Sequence, residues 1–382
     1  MRNYLAGAIS QAQERARTLK TKVRSENLPV YFNQLEQLCN GQIDQVVGRL
    51  DLISSNEYYL AAANQKERFD ELKKQTGLLH LIENVGIAAL SRTHADDEIL
   101  NRLMDTIRKE VRFPIPAPVI STLSRKYYHI FTLFNLMCVP LLEANFLLHL
   151  PDIFHELAHP LIDLENNPKV DPFRARLGQF NQQLLKSLEN EIVQEERKFG
   201  PKAIAFWLRN WKECWILSWS IELFCDIFAT LTAGPAFAWS HLHLSATMGG
   251  NPFALPLFGA STHPPDHARM TAILSSLDLT GFFVEKQEIE KKWNEYLAMN
   301  RFERGPEFDR AFPQAQLEMC AALAYEGTKA IGCRIADPQT QDPVYSLLNS
   351  AWKRFWQEPT TYAQWEKENV SRSVLIHPPP VN

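Results

Sequence analysis

Residues 151–163 read Pro-Asp-Ile-Phe-His-Glu-Leu-Ala-His-Pro-Leu-Ile-Asp, and at their centre His155, Glu156 and His159 spell H-E-x-x-H. The stretch predicts a helix. Pro151 suits a first turn, where a backbone N–H has no intrahelical partner, and Asp152 complements the positive end of the helix dipole. Positions i and i+4 share a helix face, so both imidazoles can reach one metal ion. Glu156 stands next to them and can hold water at that ion. Zinc brings the pKa of such a water to about 7. The carboxylate can then take its proton and pass it to a leaving amine. With 11 His in 382 residues, chance produces only about 0.02 such motifs in a chain this long, which favours a metal site over two structural histidines. Ile153, Phe154 and Leu157 are apolar and would bury the other side of the helix. Pro160 removes a backbone donor, so the helix is expected to end or bend there.

A catalytic zinc site needs a third protein ligand and one open position. Two acids compete for the role. Glu222 lies 63 residues after His159, in Ile-Glu-Leu-Phe-Cys-Asp (residues 221–226). Glu222 and Asp226 are i and i+4 on an unusually apolar helix, flanked by Trp215, Trp219, Phe224 and Phe228. Burying both acids there is costly unless they have partners. Glu222 could bind metal while Asp226 accepts a hydrogen bond from a ligand imidazole and fixes its tautomer. Glu165 is the alternative: its place ten residues after the first His resembles that of the third ligand in metzincin peptidases, but Ile162 stands where those enzymes have a turn-permitting Gly.

The order H-E-x-x-H, then E-x-x-x-D, then Ser261-Thr262-His263-Pro264-Pro265 with Arg269 further on resembles the gluzincin zinc metallopeptidases. Within them it is most similar to the HtpX-like group, which includes membrane quality-control and prenyl-protein-processing proteases. The likeness spans about residues 119–280. It implies Zn2+ held by His155, His159 and Glu222, with Glu156 as general base. It implies that Asp226 supports the ligands from behind. His263 would stabilise the tetrahedral oxyanion or close the open position, and Arg269 would anchor acidic groups. Pro160 and the lack of a membrane span depart from the family pattern and bear on substrate rather than on metal.

Outward from this core, the expected fold is mainly α: a zincin-type metallopeptidase core with a small β element, flanked by helical regions. Residues 1–115 carry helical apolar spacing, including Leu35, Leu38, Val46, Val47 and Leu50. Pro114, Pro116 and Pro118 mark a boundary. Residues 116–280 form the core. His129–Phe134 is aromatic and β-branched enough for a strand, with a buried helix as the other option. That strand would edge the cleft, where an extended peptide could add to it. Helices are expected over about 173–198, 202–231 and 266–276, with a short one through 236–244 and a loop over 248–265. Residues 281–382 return to charged helices and end in a disordered tail, HPPPVN (residues 377–382).

Composition limits the remaining options. Hydrophobic residues are 45% and charged residues 22%, an ordinary globular balance, and 15 Gly argues against a turn-rich all-β fold. The net charge of −4 gives no electrostatic case for nucleic acid. Cys39, Cys138, Cys214, Cys225, Cys320 and Cys333 make no C-x-x-C pair, so thiolate zinc sites lack support and a reducing compartment fits better. The apolar run Tyr127–Leu150 is interrupted by His129, Glu143 and His149, and the opening residues carry no signal-peptide core. The expectation is a cytoplasmic protein without a membrane span. Its partner would be a peptide or protein substrate, and the terminal helical regions could bind another protein. The Trp207, Trp211, Trp215 and Trp219 ladder reads as core packing. His241 and His243 alternate and cannot share a helix face. The leading function is zinc-dependent peptide-bond hydrolysis. The alternative is a metal-binding but inactive or self-inhibited helical scaffold.

Overall fold

The structure, a computed structural model, describes residues 2–23, 28–124, 127–200, 203–256 and 258–372; the expected tail at 377–382 lies outside them. It is mainly α-helical with one small three-stranded sheet. The chain divides into two compact units: Met1–Arg102 with Pro118–Leu141, and Leu103–Ala117 with Leu142–Asn382. One change of unit, at 117/118, falls beside the expected boundary at 115, whereas none falls near 280. Residues 118–141 belong with the N-terminal residues, and the C-terminal helices belong with the residues of the histidine motif.

In the first unit, the helix Asn33–Ser55 buries Leu35, Cys39, Ile43, Val46, Leu50 and Ile53 on one face. Leu5, Ile9, Leu19 and Leu79 join them in one apolar core. Leu38 and Val47, also expected inward, stand partly exposed at the edge of that stripe. The sheet takes the strand option at 129–134 only in part. Its strands are β1 (Val119–Ser121), β2 (His129–Phe131) and β3 (Leu136–Cys138), in the order β1-β3-β2. β3 pairs parallel to β1, with Val119 opposite Leu136, and antiparallel to β2, with Ile130 opposite Met137. The free edge of β1 is satisfied by side chains. Asn101 exchanges hydrogen bonds of 2.8 and 2.9 Å with the Ile120 backbone, and Asp97 accepts from Thr122 N–H at 2.7 Å. An amide that both donates and accepts replaces a neighbouring strand at that position.

The second unit is built around the helix Ser220–Ala233. It continues Ala203–Cys214 through one wide π-turn at Trp215–Trp219. Every residue of Ser220–Ala233 except Ile221 is buried. Leu223, Phe224, Ile227, Phe228 and Leu231 are fully enclosed. At about 1.5–3 kcal/mol for each such side chain, their burial outweighs the cost of carrying Glu222 and Asp226 inward with them, provided those acids find partners. Around this helix pack Asp152–Asp163, Asp171–Phe199, Asp266–Leu279 and Gln314–Ala330. Gly234 ends it at φ 66°, with its N–H on the Thr230 carbonyl at 2.9 Å, and any side chain there would meet the Tyr345 ring. Phe206–Ala233 is long and apolar enough to cross a membrane by length and composition, and 72% of its most apolar window is buried within the fold.

Candidate metal centre

The histidine helix starts after Pro151 and runs from Asp152 to Asp163. It does not end at Pro160. The proline ring denies the Glu156 carbonyl its usual donor, but the helix goes on for three residues, and Leu164 N–H then bonds the Pro160 carbonyl at 3.2 Å. Arg174 caps the Ile162 carbonyl at 2.9 Å. Ile153, Phe154, Leu157, Ala158 and Leu161 are buried, which fixes how the helix is turned. The i, i+4 spacing then brings His155 and His159 together, ring centroids 5.3 Å apart. Phe237 stacks on His155 from the side, with centroids 6.2 Å apart.

The helix Ser220–Ala233 brings Glu222 to these rings. His155 Nε2 is 3.2 Å from Glu222 Oε2, and His159 Nε2 is 4.0 Å from Oε1. His263 Nε2 approaches Oε2 at 3.4 Å from the far side. Two ligand atoms bonded at about 2.0–2.1 Å to one tetrahedral ion stand about 3.3 Å apart, so these separations suit a shared cation. Glu222 Oε2 is buried and has no hydrogen bond among the described residues, despite the two imidazoles facing it. A buried carboxylate oxygen with no donor is costly. A cation between these groups would satisfy it.

Cys225, one turn along, also reaches the site. The ligand atoms of His155, His159 and Cys225 lie within 4.8 Å of one another, and this group could hold a metal ion. The sequence reading missed it by searching the cysteines only for C-x-x-C pairs. The signal was present, because Glu222, Cys225 and Asp226 stand at i, i+3 and i+4 and share a face. Burial pushes the Cys225 thiol well above its ordinary pKa, and the nearby Glu222, Asp226, Glu156 and Asp163 push the same way. Without a cation it stays a neutral thiol.

Asp226 sits behind the rings, fully buried. Its Oδ1 is 2.8 Å from His155 Nδ1, and Arg269 donates to it twice, at 2.7 Å and 2.6 Å. Burial opposes ionisation, but the Arg269 guanidinium outweighs it and holds the carboxyl well below the usual carboxylate range. An ionised carboxylate can only accept, so Nδ1 of His155 carries the proton and Nε2 faces Glu222. Burial also disfavours a charged His155, but the adjoining Asp226 and Glu222 carboxylates prevail and raise it to about 10. Glu222 is carried down to about 2, with its burial outweighed by His155. Both carboxylates are thus ionised, with the Arg269 guanidinium and the His155 ring as the positive groups that face them.

Glu156 is buried on the histidine helix, 8% exposed. His263 keeps much of its side chain exposed, and Thr262 Oγ1 lies 2.9 Å from its Nδ1. The other candidates lie elsewhere. Glu165 is exposed in the turn after the histidine helix. His241 is buried with Nε2 3.1 Å from the Asp266 carbonyl, and His243 stacks on His149, centroids 5.5 Å apart. Comparisons with protein-family models, with curated proteins and with solved structures find no match to this chain.

Proposed function

We propose that this chain is a zinc-dependent peptidase of gluzincin type, in which His155, His159 and Glu222 hold the ion. The observation that carries this reading is the buried, unbonded Glu222 Oε2 facing His155 Nε2 and His263 Nε2 at 3.2 and 3.4 Å. Between the two acidic donors, Glu222 is favoured over Cys225 because it is already ionised, whereas the thiol must first give up its proton. A zinc ion there supplies Lewis acidity, polarising a carbonyl and making water acidic near neutral pH.

The chain's own residues do the rest. Glu156, beside His155 in sequence, takes the proton of the attacking water and returns it to the leaving amine. Asp226 holds the proton on His155 Nδ1, so that Nε2 is the atom turned towards Glu222 and available to an ion there. Arg269 keeps Asp226 ionised and therefore an acceptor. His263, exposed at the mouth and held by Thr262, donates to the oxyanion that develops on the substrate.

Glu156→Gln is the direct test. Metal content and hydrolysis of a quenched-fluorescence peptide mixture are measured on the full chain. The variant should retain its metal and lose hydrolysis by several hundredfold or more. Loss of the metal together with activity would mean that Glu156 serves structure instead.

A second reading rests on Cys225. If its thiolate joins both histidines and Glu222, all four positions are filled and the centre holds metal without turnover. Cobalt-loaded protein separates the two, since a thiolate ligand adds an intense near-ultraviolet charge-transfer band that Cys225→Ala removes.

A further inference from the structure

A second cavity stands apart from the metal centre in the same unit. Its volume is about 270 Å³, enough for one long side chain, and it is lined by Trp207, Trp211, Phe253 and Phe308 together with Glu303 and Glu307. Trp207 and Trp211 are i and i+4 on one face of the helix Ala203–Cys214. Trp211 is 4% exposed, and its Nε1 has no acceptor among the described residues. The charges around the cavity are unevenly matched. Arg304 pairs with Asp309, Arg209 with Glu196 and Lys212 with Glu189. Glu303 and Glu307 have no basic partner among the described residues. Rings attract a cation through their faces, and the carboxylates add charge at the same opening. One lining ring, that of Phe308, already meets a cation, the Arg304 guanidinium 5.3 Å from its centre.

The helix that lines the cavity continues towards the metal centre. At successive turns this helix bonds residues that follow it in the chain: Asn210 the Pro256 carbonyl at 3.4 Å, Cys214 that of Gly259 at 3.8 Å, and Ser218 that of Ser261 at 2.8 Å. Two residues later His263 meets Glu222. Trp211 precedes Glu222 by 11 residues, about 16 Å along a helix at 1.5 Å per residue. An extended peptide covers that distance in about five residues.

We propose that this aromatic and acidic cavity is a specificity subsite. It would take the guanidinium or ammonium of an arginine or lysine about five residues from the bond that is cut. The proposal rests on the peptidase reading for its role, but not for the binding itself.

The test uses the metal-free full chain and two peptides that differ only in arginine against citrulline, titrated by calorimetry. Arginine should bind about tenfold tighter, and Glu303→Gln with Glu307→Gln should remove that preference. Both acids are exposed, so the double variant keeps the fold, which its thermal melt checks. The metal-loaded protein should cleave the arginine peptide with a lower KM, and the double variant should lose only that advantage. Equal binding of both peptides by the unaltered protein would overturn the subsite. Arginine-selective binding without any hydrolysis would leave the subsite standing and remove the peptidase reading.

Discussion

At the scale of single residues, the site depends on which acid faces the two imidazoles. Glu222 does and Glu165 does not, because one is buried against the rings and the other is exposed in a turn. Glu222→Ala should therefore lose most of the bound zinc, whereas Glu165→Ala should bind it as before; inductively coupled plasma analysis of gently purified protein decides. Asp226 acts through His155. Asp226→Asn keeps the shape but replaces an ionised acceptor with an amide, and leaves Arg269 buried without its counter-charge. Zinc affinity or rate should fall by roughly 10–100-fold; competition with a chelator of known strength measures the first and peptide turnover the second. The acid pair was legible in the sequence because i and i+4 are geometrically tied. Cys225 was overlooked although its i+3 position carried the same information.

At the scale of elements, the helix Asp266–Leu279 does two jobs. Arg269 reaches Asp226, while His267 reaches away into an aromatic nest. Trp293 Nε1–H donates to His267 Nδ1 at 2.9 Å, and the ring of Phe253 lies with its centre 4.6 Å away. Burial, with Arg304 beside it, lowers His267 from 6.5 to about 4, and Asp309 only partly opposes this. Between those values the unfolded chain binds more protons than the folded one, so stability falls as pH drops from about 6.5 towards 4. His267→Asn keeps an acceptor for Trp293 and removes the titration. Its melting temperature should drop less than that of the unaltered protein between pH 7 and pH 4. An identical drop would assign the acid sensitivity to other groups. The helices themselves were readable from apolar spacing and from Pro and Gly stops, as at Gly234 and Pro235. The run of the histidine helix through Pro160 was not, because its length depends on tertiary burial of Leu161 and Ile162 and on the Arg174 cap.

At the scale of the whole molecule, the candidate metal groups come from three separate segments of one compact unit, around residues 155–159, 222–226 and 263–269. An ion that binds only when these converge adds stability to that unit. With free zinc at about 100 times its dissociation constant, the gain is about 2.7 kcal/mol, or roughly 5–10 °C in melting temperature. Removing zinc with a chelator should lower the calorimetric transition by that amount and raise amide exchange first in Asp152–Asp163 and Ser220–Ala233. No change in either measurement would mean that no ion is bound there. The division of the chain was the least legible feature. The Pro114–Pro118 cluster reads as a boundary, and the chain does change unit between 117 and 118, but the changes at 102/103 and 141/142 carry no such local mark. Which segments pack together depends on long-range contacts that local composition does not encode.

The sequence alone determined the local geometry. The spacing of His155 and His159, and of Glu222 and Asp226, fixes each pair on one helix face whatever surrounds it, since a helix repeats every 3.6 residues. Only the tertiary structure decided which acid meets the histidines, that Arg269 stands behind Asp226, and that Cys225 reaches the same point. Those choices join residues far apart along the chain. They are made by the burial of Leu223, Phe224, Ile227 and Phe228, which draws one helix into the core and carries its acids with it.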